Sequence, residues 1–174
     1  MTFGRCAYSP TRAIQDLANA RLLVGKRLRL LSHQQYYFNG DKEPSDTGPL
    51  EWHYGDQVVS MYLLSDGECV GADPLPFETP EAFELESGAI CSWKNEDLLA
   101  GLSAVHLVGQ LIHEIEGIVD TRSHHAPRLV GFQITFETGD FLVFLNQGDE
   151  GVVLVNQFPA AIIGVQTQRV TTLG

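Results

Sequence analysis

Two neighbouring histidines sit in the stretch best equipped for chemistry, Asp120-Thr121-Arg122-Ser123-His124-His125-Ala126-Pro127. It combines an acid, a hydroxyl, a guanidinium and two imidazoles. Imidazole and carboxylate are common ligands of zinc and related ions, and His113 and Glu116 stand just upstream. A metal centre of His113, Glu116, His124 and His125 is therefore one expectation. Against it, adjacent histidines on an extended chain point different ways. No H-E-x-x-H, His-x-His or Asp-x-Asp pattern supports a dedicated site. Glu114 and Glu116 alternate on one strand face, the arrangement of an acid–base pair. Nucleophilic catalysis lacks a G-x-S-x-G elbow, and Cys69 and Cys91 have no neighbouring His. Gly148-Asp149-Glu150-Gly151 puts acids where a phosphate would sit. No cofactor is expected.

A second stretch, His33-Gln34-Gln35-Tyr36-Tyr37-Phe38-Asn39-Gly40-Asp41, is suited to binding rather than to catalysis. Three consecutive aromatics cannot all face one core from a strand. At least one of Tyr36, Tyr37 and Phe38 is expected at the surface or under the loop, with Asp41 beside them. Exposed aromatics suit a partner interface. Further along, Glu78, Glu81, Glu84 and Glu86 punctuate a proline-bearing connector.

These stretches must be held by a scaffold, and the sequence repeats its punctuation at a spacing of 84 residues. Leu23-Val24-Gly25 falls on Leu107-Val108-Gly109, Gly55-Asp56 on Gly139-Asp140, and Gly67 on Gly151. Apolar positions follow, with Leu50 on Ile134, Trp52 on Phe136, Val59 on Val143 and Met61 on Leu145. Ser9-Pro10 predicts a helix through about Ala20 with an Ile14-Leu17-Ala18 stripe. Strands are predicted over 22–31, 50–54, 57–64 and 68–72, with loop 32–49 between the first two. Asn95 would cap a second helix over 96–100. Strands 105–115, 129–137, 141–146 and 152–155 follow, with loop 116–128 after the first. One more strand is expected near Ile162–Val165.

The predicted class is α+β: one domain with two helix-plus-four-strand repeats, about 11–76 and 95–160, joined by an acidic connector at about 77–94. A pseudo-two-fold would bury the faces of Trp52 and Phe136, Val59 and Val143, and Met61 and Leu145. Two antiparallel sheets or one barrel-like sheet would satisfy this pattern.

The chain has 174 residues and a net charge of -11. From Glu43 to Asp120 there are sixteen acids and one base, Lys94, while seven of the eleven bases precede Glu43. That balance argues against nucleic acid, which needs clustered Lys and Arg. No apolar run suggests a membrane span. The opening Met1-Thr2-Phe3-Gly4-Arg5-Cys6 lacks a secretory apolar region, and three scattered cysteines fit a reducing compartment, so a cytoplasmic location is expected.

Leu23-Val24-Gly25-Lys26-x-Leu28, followed by Gly-Asp hairpins, resembles small acidic β-rich bacterial proteins. These are uncharacterised or act as immunity proteins of toxin systems. The resemblance implies a cytoplasmic, non-catalytic protein that masks a basic toxin domain. The leading expectation is thus a protein-binding module of immunity type. It would use Tyr36, Tyr37, Phe38 and Asp41 together with Glu78, Glu81, Glu84 and Glu86 against a basic partner. One rival is a small-molecule or metal-dependent enzyme with a site near His33, His53, His113, His124 and His125. Another is a structural homodimer.

Overall fold

Ser9 starts the first described element: its hydroxyl accepts from the Arg12 backbone N–H at 3.1 Å. Helix α1 (Pro10–Arg21) follows, with Pro10 in the first turn where no N–H is needed. The computed structural model describes residues 8–174; Met1–Cys6 and the reading placed on them lie outside the described residues.

Two antiparallel sheets make up most of the regular structure. The first contains β1 (Leu30–Phe38), β2 (Asp41–Lys42), β3 (Leu50–Tyr54), β4 (Gln57–Leu63), β5 (Val70–Asp73), β6 (Phe83–Glu84) and β7 (Ile90–Asp97). Its order is β5-β4-β3-β1-β7-β6, with β2 hairpinned onto β1. A one-turn helix α2 (Leu98–Gly101) and a 3-10 turn (Val105–Leu107) lead to the second sheet. That sheet contains β8 (Ile112–Arg122), β9 (Arg128–Phe136), β10 (Phe141–Gln147), β11 (Glu150–Val155) and β12 (Val165–Val170), ordered β11-β10-β9-β8-β12.

Alternate residues of both sheets meet in one core. Leu31, Leu50, Trp52 and Met61 come from the first sheet, and Ile115, Phe132, Ile134 and Phe144 from the second. Burying a side chain of this size contributes about 1.5–3 kcal/mol. The Trp52 indole N–H is buried with no acceptor among the described residues.

Two contacts fix how the layers meet. Gly25, at φ +81°, turns the chain after α1, and Gly109, at φ +83°, does so before β8. The segments beyond them then cross. Gly25 N–H donates to Ile112 O and Gly109 N–H to Leu28 O; Leu28 N–H donates to Gln110 O and Ile112 N–H to Lys26 O. The four bonds span 2.7–3.0 Å. The second contact closes the sheet edge at β5. Asp16 accepts from Ala72 N–H at 3.2 Å, and Asn19 donates to Ala72 O at 2.8 Å. Two side chains of one helix thereby do what a further strand would do for that edge.

The expected α+β class is overturned. The molecule is mostly β, and the second copy has no counterpart to α1. Asn95 does not cap a helix; it lies within β7, which pairs with β1 from Cys91 to Asp97. Pairing along a buried strand outweighs a five-residue helix, which is too short to be stable alone. Asp97 instead caps the single turn that remains, accepting from Ala100 N–H at 3.1 Å.

The ungapped register fails as well. Tyr54 pairs with Gln57 across the first hairpin, whereas Thr135 pairs with Phe141 across the second, a loop three residues longer. An odd shift turns side chains to the opposite face. Val59 and Met61 therefore enter the core, while Val143 and Leu145 join Ile118 and Val130 in a separate cluster on the far side of the second sheet.

Five element boundaries also differ from expectation. Residues 22–29 form the turn and crossing rather than a strand, and 105–107 form the 3-10 turn. The segments read as loops 32–49 and 116–128 supply most of β1 and the second half of β8. The final strand lies later, at β12. On α1 the buried face runs through Ala13, Asp16, Leu17 and Ala20 and leaves Ile14 exposed. Bonding to β5 rotates the helix away from its purely apolar stripe. Among the described residues, no helix is long and apolar enough to cross a membrane.

The edge contact can be tested directly. Asn19→Ala leaves the buried Ala72 carbonyl without a donor, and urea unfolding should show a loss of about 1–3 kcal/mol. Ile14→Ser, on the exposed side of the same helix, should change stability by under about 0.5 kcal/mol. Equal effects would mean that Asn19 does not hold the edge.

Candidate partner-binding surface

Strand alternation sorts the residues around β1 and β7 into two faces with different chemistry. Tyr36 and Phe38 share the outer face with Cys91 and Trp93 of β7, because Tyr36 lies opposite Trp93 and Phe38 opposite Cys91. Phe83 of β6 lies opposite Cys91 and joins them. The rings form a row: Tyr36 to Trp93 is 5.3 Å and Phe83 to Trp93 is 5.8 Å between centroids. The Tyr36 hydroxyl donates to Cys91 Sγ at 3.2 Å, which sets its ring. Phe38 and Phe83 remain 43% and 49% exposed, a large apolar area to leave in water. Asp41 is opposite Phe38 and reaches the same face after the Asn39-Gly40 turn, whose residues both have positive φ.

Tyr37 points the other way and is engaged. Its hydroxyl donates to the Glu96 carboxylate at 3.0 Å, and Lys94 Nζ lies 4.6 Å from its ring centroid. Lys42 pairs with Glu96 at 3.3 Å. Burial pushes the Glu96 carboxyl up, but the Tyr37 hydroxyl and Lys42 more than offset it, holding the group below the usual range. Burial, and then the bond to Glu96, raise the Tyr37 phenol. Both bases of this region, Lys42 and Lys94, therefore lie on the face opposite the aromatic row.

Glu78, Glu81, Glu84 and Glu86 are all exposed along the connector beside that row. Glu84 belongs to the two-residue edge strand β6, which covers only Ile90 and Cys91 of β7. From Ser92 to Asp97 the outer edge of β7 pairs with no strand among the described residues.

A buried polar cluster positions the acidic connector, and the sequence reading missed it. Ser32, Glu51 and Ser60 share the outer face of β1, β3 and β4, and all are buried. The Pro74–Pro80 strap crosses over them. Ser60 Oγ donates to Leu75 O at 2.7 Å, Gln34 Nε2 donates to Phe77 O at 3.4 Å, and Glu51 accepts the Phe77 backbone N–H. Ser32 Oγ lies 3.3 Å from His53 Nε2, and Glu51 Oε2 lies 3.9 Å from the same nitrogen. A proton relay needs acid and hydroxyl on opposite ring nitrogens, so this trio does not form one. Glu51, with Ser60 and Gln34, seats the strap instead. The alternation of Glu51 and His53 about Trp52 carried a signal for it. Ser32 carries no such signal, because its segment reads as a loop.

The residues expected to bind metal are spread along β8. His113 and Glu116 lie near its start, and His124, at φ +64°, and His125 lie in the loop beyond its end. Nine residue steps of extended chain from His113 to Arg122 span about 30 Å. Among the described residues no three His, Cys, Asp or Glu side chains converge to hold an ion. His33 is buried and its Nδ1 bonds Thr47 O at 2.7 Å, apart from the other histidines. Burial, with Asp66 beside it, pushes the Cys69 thiol up to about 12, so it holds its proton and is a poor nucleophile.

Comparison with known proteins finds no matching family model, no matching curated protein and no matching solved structure.

The strap predicts a pH signature. Burial raises the Glu51 carboxyl above its ordinary value despite the Phe77 N–H bond. A raised native pKa means the folded state binds the proton more tightly, so stability declines as pH rises from about 4.3 through the native pKa. Glu51→Gln should remove that decline, and the gap between variant and wild type should widen over this range in urea unfolding. Burial and Arg29 lower the His53 imidazole, whose penalty grows in the opposite direction, as pH falls below about 6.5. His53 is common to both proteins, so the comparison isolates Glu51. A gap that stays constant with pH would show that Glu51 is not desolvated.

Proposed function

We propose that this chain is a non-catalytic binding module that masks a basic protein partner, in the manner of an immunity-type inhibitor. The observation that carries this reading is the separation of charge by face. The aromatic row Tyr36, Trp93, Phe83 and Phe38 is flanked by exposed carboxylates, and its nearest bases are held on the opposite side. Such a surface attracts cations from a distance and then offers apolar contact at short range. The open edge of β7 adds main-chain donors and acceptors to which an extended basic segment can pair as an additional strand. Steering would come from Glu78, Glu81, Glu84 and Glu86. Anchoring would come from Phe38 and Phe83. The reading places the protein in the cytoplasm, where Cys69 and Cys91 persist as free thiols.

Replacing Glu78, Glu81, Glu84 and Glu86 together by Gln should leave the fold intact, since all four side chains are exposed. Wild-type protein used as bait should retain a strongly basic protein in stoichiometric amount, and the Gln variant should lose most of it. Association measured by stopped flow should slow steeply between 0.01 M and 0.15 M salt, as the Debye length falls from about 30 Å to about 8 Å. Dissociation should change less. A bait that retains no basic protein would sink the proposal. So would an association rate indifferent to both salt and the four substitutions.

A further inference from the structure

The second sheet carries a groove on its outer face that has nothing to do with the acidic rim. Two adjoining cavities of about 330 and 460 Å³ lie there, sharing Asp120, Val130 and Ile162 in their walls. Alternation explains the lining. Ile118, Asp120 and Arg122 point outward from β8, with Val130 from β9 and Leu145 from β10 beside them. Ile118, Val130 and Leu145 make an apolar floor. Over it runs the segment 157–163, bracketed by left-handed Asn156 (φ +53°) and Gly164 (φ +82°). This segment exposes Phe158, Ile162 and Ile163, the last of them completely.

Charge is the decisive feature. Only four bases follow Lys42 in the sequence, and three of them, Arg122, Arg128 and Arg169, line this groove. Two are already engaged. Arg128 meets Asp66 at 3.5 Å and Glu68 at 3.4 Å. Arg169 donates to Gln133 Oε1 at 2.6 Å and lies over the Phe158 ring at 4.4 Å. The two acids in the walls are engaged too: Glu68 pairs with Arg128, and Asp120 accepts from the Thr167 hydroxyl at 2.6 Å. Arg122 differs: it is exposed, and no acceptor among the described residues holds its guanidinium. His125 stands beside it in the same cavity, held by its backbone N–H to Arg122 O at 3.0 Å.

We infer that this groove binds a small amphipathic carboxylate of the medium-chain fatty-acid type. The carboxylate would sit at Arg122 and His125, where a guanidinium offers two parallel donors. The apolar body would run along Val130 and Leu145 toward Ile118, under Ile162. Ile118 and Arg122 are four residues apart on β8, about 13 Å, which suits a medium chain lying extended. An apolar site with one unpaired cation at its mouth is the usual design for such ligands.

The test uses decanoate, kept below its micelle-forming concentration, with decanol and inorganic phosphate as controls. Calorimetry should show one saturable decanoate site, with both controls at least about tenfold weaker, since each supplies only half of the recognition. Arg122→Ala should weaken decanoate about tenfold or more by removing a charge-assisted bond. Ile162→Asp, on an exposed residue, should weaken it by changing the cover. Circular dichroism should show both variants folded. Methyl resonances of Ile118, Val130 and Leu145 should shift on titration of the wild type. The inference fails if no saturable decanoate binding is seen. It fails equally if decanol binds as tightly, if phosphate does, if the two variants bind like wild type, or if the shifts map elsewhere.

Discussion

Four main-chain hydrogen bonds between 25–28 and 109–112 hold the two layers in their relation, and the rest of the molecule is arranged around them. They are reciprocal: each segment donates twice and accepts twice. Main-chain bonds tolerate substitution, but they demand the correct backbone path, and Gly25 and Gly109 supply it by turning through positive φ. Once the crossing is made, Arg29 N–H reaches His53 O and Glu137 N–H reaches Leu111 O. β3 and β9 are thereby placed against the paths leading into β1 and β8. The faces carrying Trp52 and Phe136 then have little choice but to meet.

That arrangement also decides which side chains are free to act. Each sheet has one face spent on the common core, so chemistry is confined to the outer faces and the edges. On the first sheet the outer face is divided. Toward β4 it holds buried polar groups under the Pro74–Pro80 strap, and toward β7 it holds the aromatic row. The polar part anchors the strap, and the strap delivers Glu78 to the margin of the aromatic part. On the second sheet the outer face is apolar at its centre and carries arginines with their partner acids at its end. One small chain therefore presents two surfaces of different chemistry, with the core between them.

Some of this was legible in the residues alone, and the reasons differ by element. Ser9-Pro10 announced α1, because a cap and a first-turn proline act locally. Gly55-Asp56 announced the β3–β4 hairpin for the same reason. What escaped was decided by distant partners. Residues 32–38 are polar and aromatic, and nothing local says strand; they are strand because β7 and β3 lie on either side. Residues 90–97 read as the end of a connector and the start of a helix because their strand partner lies some sixty positions earlier. The spacing of 84 residues matched Gly25 with Gly109, which do turn alike, but the segments around them read as strands rather than a crossing, and at β10 a longer loop reversed the faces. On the proposed binding surface, Tyr36, Phe38 and the four connector acids stood out by composition. Trp93 and the strap did not, because their roles depend on being brought beside those residues.

The placement of the two tryptophans has a spectroscopic consequence. Trp52 lies in the dry centre of the molecule, and Trp93 lies half-buried in the aromatic row. The intrinsic fluorescence is therefore a sum of one apolar and one water-facing emitter. Loss of the core would report through Trp52, and events at the rim through Trp93. A neutral quencher should reach only the second. Iodide should reach it less well, because the neighbouring carboxylates repel an anion. Fluorescence can thus separate unfolding from occupancy without any added label.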